Sequence, residues 1–267
     1  MNAHGRFTAV VLAASRGGDD PVAAMAGCSH KCLVPVGGEA RLARVLRALA
    51  ASDSGGAMAV SIDDPAVLGE SPEITALIER HDIALIDAAE TPSLSVVRSV
   101  EALAEPWPIL VTTADVPLLS PGMIDHFCTR ARACDADIAA GLASATVVLE
   151  KYPDAMRTFL PFRDGRYTGC NLFALMTPAS MKAVSFWRRV EADRKRPWRL
   201  FVAFGPLAMV RFLAGGATLD AALGAASARL GLTARAVEMP YAEAAIDVDK
   251  PAHKKLVETI IRDRDDS

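Results

Sequence analysis

The pattern of apolar and polar positions changes regularly along the first half of the chain. Mainly apolar runs at residues 8–14, 57–62 and 107–113 predict strands, and the continuous run at 8–14 is typical of a strand that is covered on both faces of a parallel sheet. Residues 40–51 lie between the first two runs, and their apolar side chains recur at helical spacing. This alternation of strands and helices predicts a doubly wound, mostly parallel α/β sheet.

The other predicted elements follow from the same two spacings. We expect further helices at Pro72–His81, from Pro92 onward, and at Pro121–Ala133, 179–192, 198–213, Leu219–Leu230 and 251–262. We expect further strands at 83–86, 137–140, 146–149, 171–175, 234–237 and 245–248, and a hairpin that turns at 163–165. Ser93 and Ser95 are candidate caps of the helix that begins at Pro92.

Composition narrows the class of partner. The 267 residues are 51% hydrophobic and carry a net charge of −3. This apolar fraction supports a sizeable core, and the lack of a basic excess favours a small-molecule substrate and argues against a nucleic-acid partner. The five cysteines are an odd number and the N-terminus lacks a signal-peptide pattern, so we expect reduced thiols and a cytoplasmic location.

The chain is expected to form a single domain and to lack a membrane span. No repeat, low-complexity tract or linker interrupts the sequence, so residues 1–267 are taken as one domain. The apolar segment 200–214 is shorter than the roughly 20 residues that cross a bilayer, and Arg211 interrupts it. Buried helices are therefore expected there.

A polar loop follows the first predicted strand and contains Arg16, Gly17 and Gly18. Glycine lets the backbone approach a phosphate, and arginine offers a planar fork of donors. Lys31 comes just before the apolar sequence at 32–34 and has no carboxylate next to it in the chain. The loop and Lys31 together indicate a phosphate site, and an ordinary surface loop with an exposed lysine is the alternative.

Carboxylates stand at the ends of two predicted strands. Asp115 follows the strand at 107–113, where open α/β sheets bind ligands, and it could hold Mg²⁺ on phosphates or merely turn the chain. Asp247 and Asp249 alternate along and just beyond the predicted strand at 245–248 and would point to the same face. We assign Asp247 to a metal, and Asp249 to a cap or a supporting role.

Two further features have more than one interpretation. The sequence Gly169-Cys170-Asn171 precedes a predicted strand, and the Asn171 side chain can both donate and accept, although a simple turn explains the sequence as well. Basic and aromatic residues cluster at 187–199. Such runs are commonly solvated helix faces; the alternatives are an acceptor-phosphate pocket or a contact with anionic lipid headgroups.

Ordered motifs in the chain resemble those of the molybdenum-cofactor guanylyltransferase-like (MobA-like) NTP transferases. The motifs are LAA at 12–14 with RG at 16–17, KCLVPVGG at 31–38, TADVPL at 113–118, GCNLF at 169–173 and IDVDKP at 246–251. The resemblance implies a GT-A type, three-layer Rossmann-like fold with helices on both faces of the sheet. Compared with compact members of the family, the chain has a longer helical elaboration at about 176–230, where we expect acceptor specificity or a homo-oligomer contact.

The resemblance also implies a reaction, in which an NTP and a phosphorylated small molecule give a nucleoside-diphosphate derivative and pyrophosphate. Arg16 and its loop would hold the β- and γ-phosphates, and Lys31 would neutralise charge at the α-phosphate. Asp115 and Asp247 would bind Mg²⁺. The nucleotide contacts implied by the family are Leu12, Ala13, Ala14, Ser15, Gly17, Ser93, Ser95 and Asn171. Ser15 replaces the family's usual glycine, and Lys250 replaces its usual threonine.

Two other functions stay open. A glycosyltransferase of the same fold would use Asp115 for the metal of a nucleotide-sugar, but that donor has no leaving pyrophosphate for Lys31 and the Arg16 loop to bind. A nucleotide-binding regulator without catalysis is the second alternative, and the retained Asp115 and Asp247 argue against it. The base of the NTP and the acceptor are not determined. The acceptor candidates are a cofactor precursor, a sugar phosphate, or a polyol or lipid-precursor phosphate, the last with a peripheral membrane contact.

Overall fold

The computed structural model describes residues 5–15, 21–104, 106–192 and 216–265. Within these ranges, the strands are β1 (Phe7–Leu12), β2 (Pro35–Val36), β3 (Glu39–Ala40), β4 (Gly55–Ile62), β5 (Ala84–Asp87), β6 (Ile109–Thr113), β7 (Ile138–Ser144), β8 (Leu160–Phe162), β9 (Gly165–Leu175) and β10 (Ala234–Glu238). The α-helices are α1 (Pro21–Ala26), α2 (Arg41–Ala50), α3 (Pro72–His81), α4 (Pro92–Ala102), α5 (Pro121–Ala133), α6 (Ala145–Lys151), α7 (Met181–Ala192), α8 (Leu219–Leu230) and α9 (Pro251–Asp265).

The main sheet is mixed and mostly parallel. In the described ranges its strand order is β10-β7-β9-β6-β1-β4-β5, and β8 pairs with β9. β1 runs parallel to β4 and β6, whereas β9 runs antiparallel to β6 and β7. The chain proceeds outward from β1 to β5 and then crosses to β6 on the other side of β1, which creates a switch point at the carboxyl end of β1. The predicted doubly wound, mostly parallel sheet is confirmed.

Helices cover both faces of the sheet because the central strands are apolar on both sides. Along β1, Phe7, Ala9 and Val11 join a core cluster that includes residues of α2 and α5. Val10 joins a second cluster with residues of α4 and α7. Alternate residues of a strand point to opposite faces, so the two clusters lie on opposite sides of the sheet. The expected three-layer, Rossmann-like architecture is therefore also confirmed.

A smaller cluster packs the C-terminal helix α9 against the β2–β3 hairpin. Val34 and Val36 pack in this cluster with Ile261 of α9. Gly37 and Gly38 form the two-residue turn of the hairpin with φ values of 58° and 79°, which are the left-handed values of a type I′ turn. A Cβ atom on Gly37 would lie 2.8 Å from Ile261 Cγ2. The turn therefore requires glycine both for its backbone and for its packing.

Three expectations about local structure are wrong. Residues 146–149, predicted as a strand, belong to α6, which the Ser144 hydroxyl caps by accepting a hydrogen bond from Val147 N at 3.3 Å. Residues 245–248, also predicted as a strand, end a 3-10 turn (Ala242–Ala245) and continue without regular structure. The cap of α4 is Thr91 rather than Ser93 or Ser95. At 146–149 the Ser144 cap outweighs the local apolar pattern, and at α4 the Thr91 side chain accepts the hydrogen bond from Leu94 N that defines the cap.

Of two other expectations, one concerns strands that merge into a single strand, and the other concerns residues outside the described ranges. The second strand of the predicted hairpin and the predicted strand at 171–175 form one long strand, β9. The predicted helix at 198–213 and the apolar segment 200–214 lie outside the described residues. Of the helices that the structure describes, none combines the length and the apolar character needed to cross a membrane.

Candidate nucleotide-binding and active site

A cleft of about 340 Å³ opens at the carboxyl ends of β1, β4, β5 and β6. Its walls are formed by residues that end or follow these strands, and by the segment that carries Lys31. The lining residues are Leu12, Ala13, Ala14, Ser15, Lys31, Cys32, Arg41, Ser61, Asp63, Ala89, Glu90, Thr91, Pro92, Ser95, Thr113, Ala114 and Asp115. The cleft lies at the switch point of the sheet, where open α/β folds bind their ligands.

The wall after β1 is tied to the end of β4. Ala13 N donates to the Ser61 carbonyl at 2.8 Å, and Ser15 N donates to Asp63 Oδ1 at 3.2 Å. The side-chain hydroxyls of Ser15 and Ser61 are buried and have no hydrogen-bond partner among the described residues. Buried polar groups without partners are rare in native proteins, so these two hydroxyls favour a polar ligand in the cleft.

Lys31 begins a short 3-10 turn and lines the cleft. Among the ion pairs that the described residues form, none includes its ammonium group. An ammonium group without a carboxylate partner in a concave site attracts anions. The position of Lys31 therefore favours an anionic ligand such as a phosphate.

Asp115 lies directly after β6, and two donors orient its carboxylate. The Thr113 hydroxyl donates to Oδ1, and Asn171 Nδ2 donates to the same oxygen at 3.3 Å. Asn171 has a φ of 51°, and the β7–β9 pairing shifts register beside it, between Ala140 and Leu142. Bulges redirect side chains near sites, and asparagine tolerates a left-handed backbone better than most residues. The bulge therefore explains how the Asn171 side chain reaches Asp115.

Asp247 is buried, at 8% exposure, and its segment runs beside that of Asp115. Val248 N donates to the Asp115 carbonyl at 2.9 Å. The Arg157 guanidinium forms an ion pair with Asp247 Oδ2, and His253 Nδ1 lies 3.6 Å from Oδ1. Burial raises the pKa of Asp247, the Arg157 charge lowers it, and the Asp115 carboxylate raises it further. The two aspartates that the sequence indicated are thus electrostatic neighbours.

The predicted strand on which the assignment of Asp247 rested is nevertheless wrong. No strand places Asp247 and Asp249 on one face, and Asp249 is exposed. The partners Arg157 and His253 were not expected from the sequence. Arg157 lies in a segment without regular structure and without periodicity, so no sequence signal identifies it.

The two aspartates fit a divalent cation that a phosphate also coordinates. Asp247 Oδ1 is buried and has no hydrogen-bond partner among the described residues. Among the residues that the structure describes, no group of three or more His, Cys, Asp or Glu side chains could hold a metal ion without a further ligand. Mg²⁺ is commonly held by one or two carboxylates together with substrate phosphates. Asp115 and Asp247 are therefore the residues that could hold it, with the phosphate completing the site.

The structure brings Ser95 to the cleft but not Ser93. Ser95 Oγ accepts a hydrogen bond from Ala89 N at 2.9 Å and so holds the loop after β5. Ser93 is not among the lining residues, and its hydroxyl donates to the Glu191 carboxylate on α7. The predicted phosphate loop at 16–20, with its arginine and glycines, lies outside the described residues.

Several lining residues were not expected from the sequence, among them Arg41, Asp63 and Thr91. Asp63 follows the predicted strand at 57–62 directly, so the rule that identified Asp115 would also have found it. Thr91 follows β5 and caps α4, a role that the helix-start signals could have indicated. Arg41 lies within a predicted helix, where an arginine is commonly a solvated residue, and no local signal distinguishes it.

A doubly wound sheet with a polar cleft at its switch point, lined by Lys31 and Asp115, is typical of α/β proteins that bind phosphorylated ligands. The MobA-like NTP transferase domain matches residues 9–160, which is more than half of the chain. The chain belongs to this family and is a nucleotidyltransferase. The predicted family resemblance is confirmed.

Solved structures share the fold over nearly the whole chain. A hypothetical transferase from Thermus thermophilus is 27% identical, with a TM-score of 0.76, and the match covers 93% of this chain and 99% of that one. The 4-diphosphocytidyl-2C-methyl-D-erythritol synthase from Anaerococcus prevotii is 13% identical, with a TM-score of 0.60 and coverage of 97% and 99%. A CMP:2-keto-3-deoxy-manno-octonic acid synthetase complexed with CTP is 13% identical, with a TM-score of 0.59 and the same coverage. The last two matches show the fold alone. No curated protein sequence matches the chain at a significant level.

Proposed function

We propose that the protein transfers a nucleoside monophosphate from an NTP to the phosphate group of a small-molecule acceptor, with Mg²⁺ and with release of pyrophosphate. The observation that supports this proposal is the convergence of Lys31 and Asp115 on one cleft, with Asp247 beside Asp115. A triphosphate carries several negative charges, and its transfer chemistry depends on cations that are fixed around the reacting phosphate. Lys31 provides one such cation in the cleft, and Asp115 with the neighbouring Asp247 could hold a second.

The chemical step is an in-line displacement at the α-phosphate. An oxygen of the acceptor phosphate forms a bond to the α-phosphorus, and the bond from that phosphorus to the bridging oxygen of the β-phosphate breaks. Pyrophosphate leaves with the electron pair, and no covalent intermediate with the enzyme is needed. Catalysis then rests on orientation of the two phosphates and on stabilisation of the developing charge.

Each site residue has a role in this scheme. The Lys31 ammonium stabilises charge on the α-phosphate, and the Arg16 loop with Gly17 binds the β- and γ-phosphates. Asn171 orients the Asp115 carboxylate through the hydrogen bond at 3.3 Å. Mg²⁺ held by Asp115 and Asp247 would neutralise phosphate charge as the reaction proceeds.

The nucleoside is assigned to the wall formed after β1 and β5. Leu12, Ala13, Ala14 and Ser15 line this wall, and Ser95 holds the facing loop. Two of the structurally similar proteins are named for cytidine compounds, and the family resembled by the chain includes a guanylyltransferase. CTP and GTP are therefore the first nucleotides to test.

We also propose how the chain is organised and what it contacts. A single domain over residues 1–267 is supported by matches that cover 93% or more of the chain with full-length relatives. Trp187, Arg188 and Arg189 are exposed on α7, which supports an anionic contact such as a lipid-precursor phosphate or a membrane surface. A homo-oligomer through the helical elaboration and a cytoplasmic location are retained as proposals.

A pyrophosphate-release screen tests the proposal. The four NTPs are each combined with a library of phosphorylated metabolites, with and without Mg²⁺. We expect one NTP and one acceptor class to release pyrophosphate only with Mg²⁺, and Lys31→Ala and Asp115→Ala to lose that activity. Unchanged turnover in both variants would reject the proposal. NTP binding without turnover over the whole library would favour the regulator, and transfer from a nucleotide-sugar would favour the glycosyltransferase.

A further inference from the structure

Arg41 is a fully buried arginine at the first position of α2, and it lines the cleft. A buried guanidinium destabilises the fold unless its donors are satisfied by hydrogen bonds. A cation in the first turn of a helix is also opposed by the positive end of the helix dipole. Because both effects oppose a buried arginine at this position, we expect Arg41 to have a role beyond packing.

The guanidinium of Arg41 joins two segments that are far apart in the sequence. Its Nε donates to the Lys31 carbonyl at 2.8 Å, and its Nη2 donates to the same oxygen. Its Nη1 donates to the Val248 carbonyl. Val248 N donates in turn to the Asp115 carbonyl. A continuous series of hydrogen bonds therefore connects the backbone of Lys31 with the backbone beside Asp247 and that of Asp115.

The local fold explains why Arg41 lies beside Lys31. The type I′ turn at Gly37 and Gly38 folds the chain back on itself, and Arg41 N donates to the Val34 carbonyl at 3.2 Å. The helix then starts with its first side chain directed at the preceding 3-10 turn. A planar guanidinium can bridge two carbonyl groups in a fixed geometry, whereas a lysine ammonium cannot reproduce that fork.

We propose that Arg41 is a positioning residue that fixes the Lys31 segment relative to the Asp115 and Asp247 segments, so that both act on the same phosphate. This inference rests on the proposed nucleotidyl transfer for its kinetic consequence. It also has a consequence that does not depend on turnover. A ligand bound at Lys31 stabilises residues 246–249 through Arg41, because the Arg41 guanidinium is hydrogen-bonded both to the Lys31 carbonyl and to the Val248 carbonyl.

Steady-state kinetics of Arg41→Met and Arg41→Lys test the first consequence. The matched control is Arg47→Met on the same helix, because the Arg47 side chain is 56% exposed and pairs only with Glu39 and Glu73 among the described residues. We expect Arg41→Met to lower kcat about 100-fold with the NTP KM changed by less than about threefold, since a misplacement of about 1 Å can reduce rate about 100-fold. Arg41→Lys should lower kcat about tenfold, and Arg47→Met should stay within about twofold of the parent. Equal kcat values for Arg41→Met and Arg47→Met would overturn the inference.

Amide hydrogen exchange with non-hydrolysable CTP and GTP analogues tests the second consequence. In the parent protein and in Arg47→Met, the analogue that binds should slow exchange both at 31–34 and at 246–249. In Arg41→Met and Arg41→Lys it should slow exchange at 31–34 but less, or not at all, at 246–249. Equal protection of 246–249 in all four proteins would overturn the inference, as would faster exchange throughout the sheet of both Arg41 variants. If no NTP and acceptor release pyrophosphate but the Arg41-dependent protection is observed, the proposed transfer fails while the coupling stands.

Discussion

The buried carboxylate of Glu243 holds a charge cluster just before the Asp247 segment, and acid should remove its contribution to stability. Glu243 is 6% exposed. Its Oε1 accepts hydrogen bonds from Lys151 Nζ at 2.6 Å and from the Tyr152 hydroxyl at 2.9 Å, and Arg264 Nη2 lies 3.4 Å from the same oxygen. Groups from α6 and α9 thus converge on one carboxylate.

The size of this contribution follows from the pKa of Glu243. Burial acts to raise that pKa, but hydrogen bonds, led by the one from Lys151, lower it overall from 4.5 to about 2. At about 1.4 kcal/mol per unit, this shift corresponds to about 3 kcal/mol of folding free energy. The Lys151 side chain is 59% exposed, so solvent screens part of the attraction and we expect about 2 kcal/mol.

The sign of the pH dependence is set by the lowered pKa. A carboxyl group whose pKa is lower in the folded state stabilises the protein fully above its unfolded pKa of 4.5, and the effect is lost as the pH falls toward 2. Glu243→Gln removes the charge and retains an acceptor oxygen. The free energy of unfolding of the parent should therefore exceed that of this variant by about 2 kcal/mol at pH 7. This difference should fall by more than half at pH 3.

Urea unfolding at pH 7, 5, 4 and 3, followed by far-ultraviolet circular dichroism, measures this difference. Other carboxyl groups titrate in the same range, but they are common to both proteins and cancel in the comparison. Glu150→Gln, at an exposed position of α6, is the control and should stay within about 0.5 kcal/mol of the parent. A difference that is absent at pH 7, or that is the same at pH 7 and pH 3, would refute the reasoning.

Three other outcomes are expected. Gly37→Ala should lower the free energy of unfolding in urea by more than about 1 kcal/mol, because position 37 has a left-handed φ and its Cβ would lie 2.8 Å from Ile261 of α9. Gly69→Ala is the control, because nothing lies within 4 Å of a Cβ there, and it should destabilise the protein less. Equal destabilisation by the two substitutions would contradict the packing argument. Asn171→Gly should leave the free energy of unfolding unchanged or slightly higher, because glycine accepts the positive φ. It should lower turnover about tenfold, because the Asp115 carboxylate loses a hydrogen-bond donor. Full turnover in this variant would contradict the orienting role of Asn171. A chelator should abolish pyrophosphate release until Mg²⁺ is restored, and activity that persists with the chelator would contradict a role for the metal. Asp247→Asn should raise the Mg²⁺ concentration needed for half-maximal activity.

The sheet of the first half could be predicted because its strands are buried on both faces. β1, β4 and β6 are mainly apolar runs, and such runs need no tertiary information to be identified. Asp115 followed from the general position of ligand sites at strand ends, and Lys31 from its place before an apolar segment without a neighbouring carboxylate. Both lie in the cleft.

The other parts of the site depend on contacts that a sequence pattern does not contain. The strand predicted at 146–149 was suggested by Val147 and Val148, but the Ser144 cap starts a helix there. The ion pair of Asp247 with Arg157 forms only when the segment before α9 and the segment before β8 pack together. The position of Ser93 away from the cleft is set by Glu191, on a helix that follows much later in the chain.

Transfer of labelled phosphate tests the central claim most directly. The NTP found in the screen is labelled at its α-phosphate and incubated with its acceptor and Mg²⁺, and the products are separated and counted together with pyrophosphate. We expect the label in the acceptor product with one pyrophosphate released per label, and a loss of at least about 100-fold in Lys31→Ala, since removal of one transition-state donor commonly costs that much. Label that appears only as free nucleoside monophosphate, or transfer that Lys31→Ala leaves unchanged, would contradict nucleotidyl transfer at this cleft.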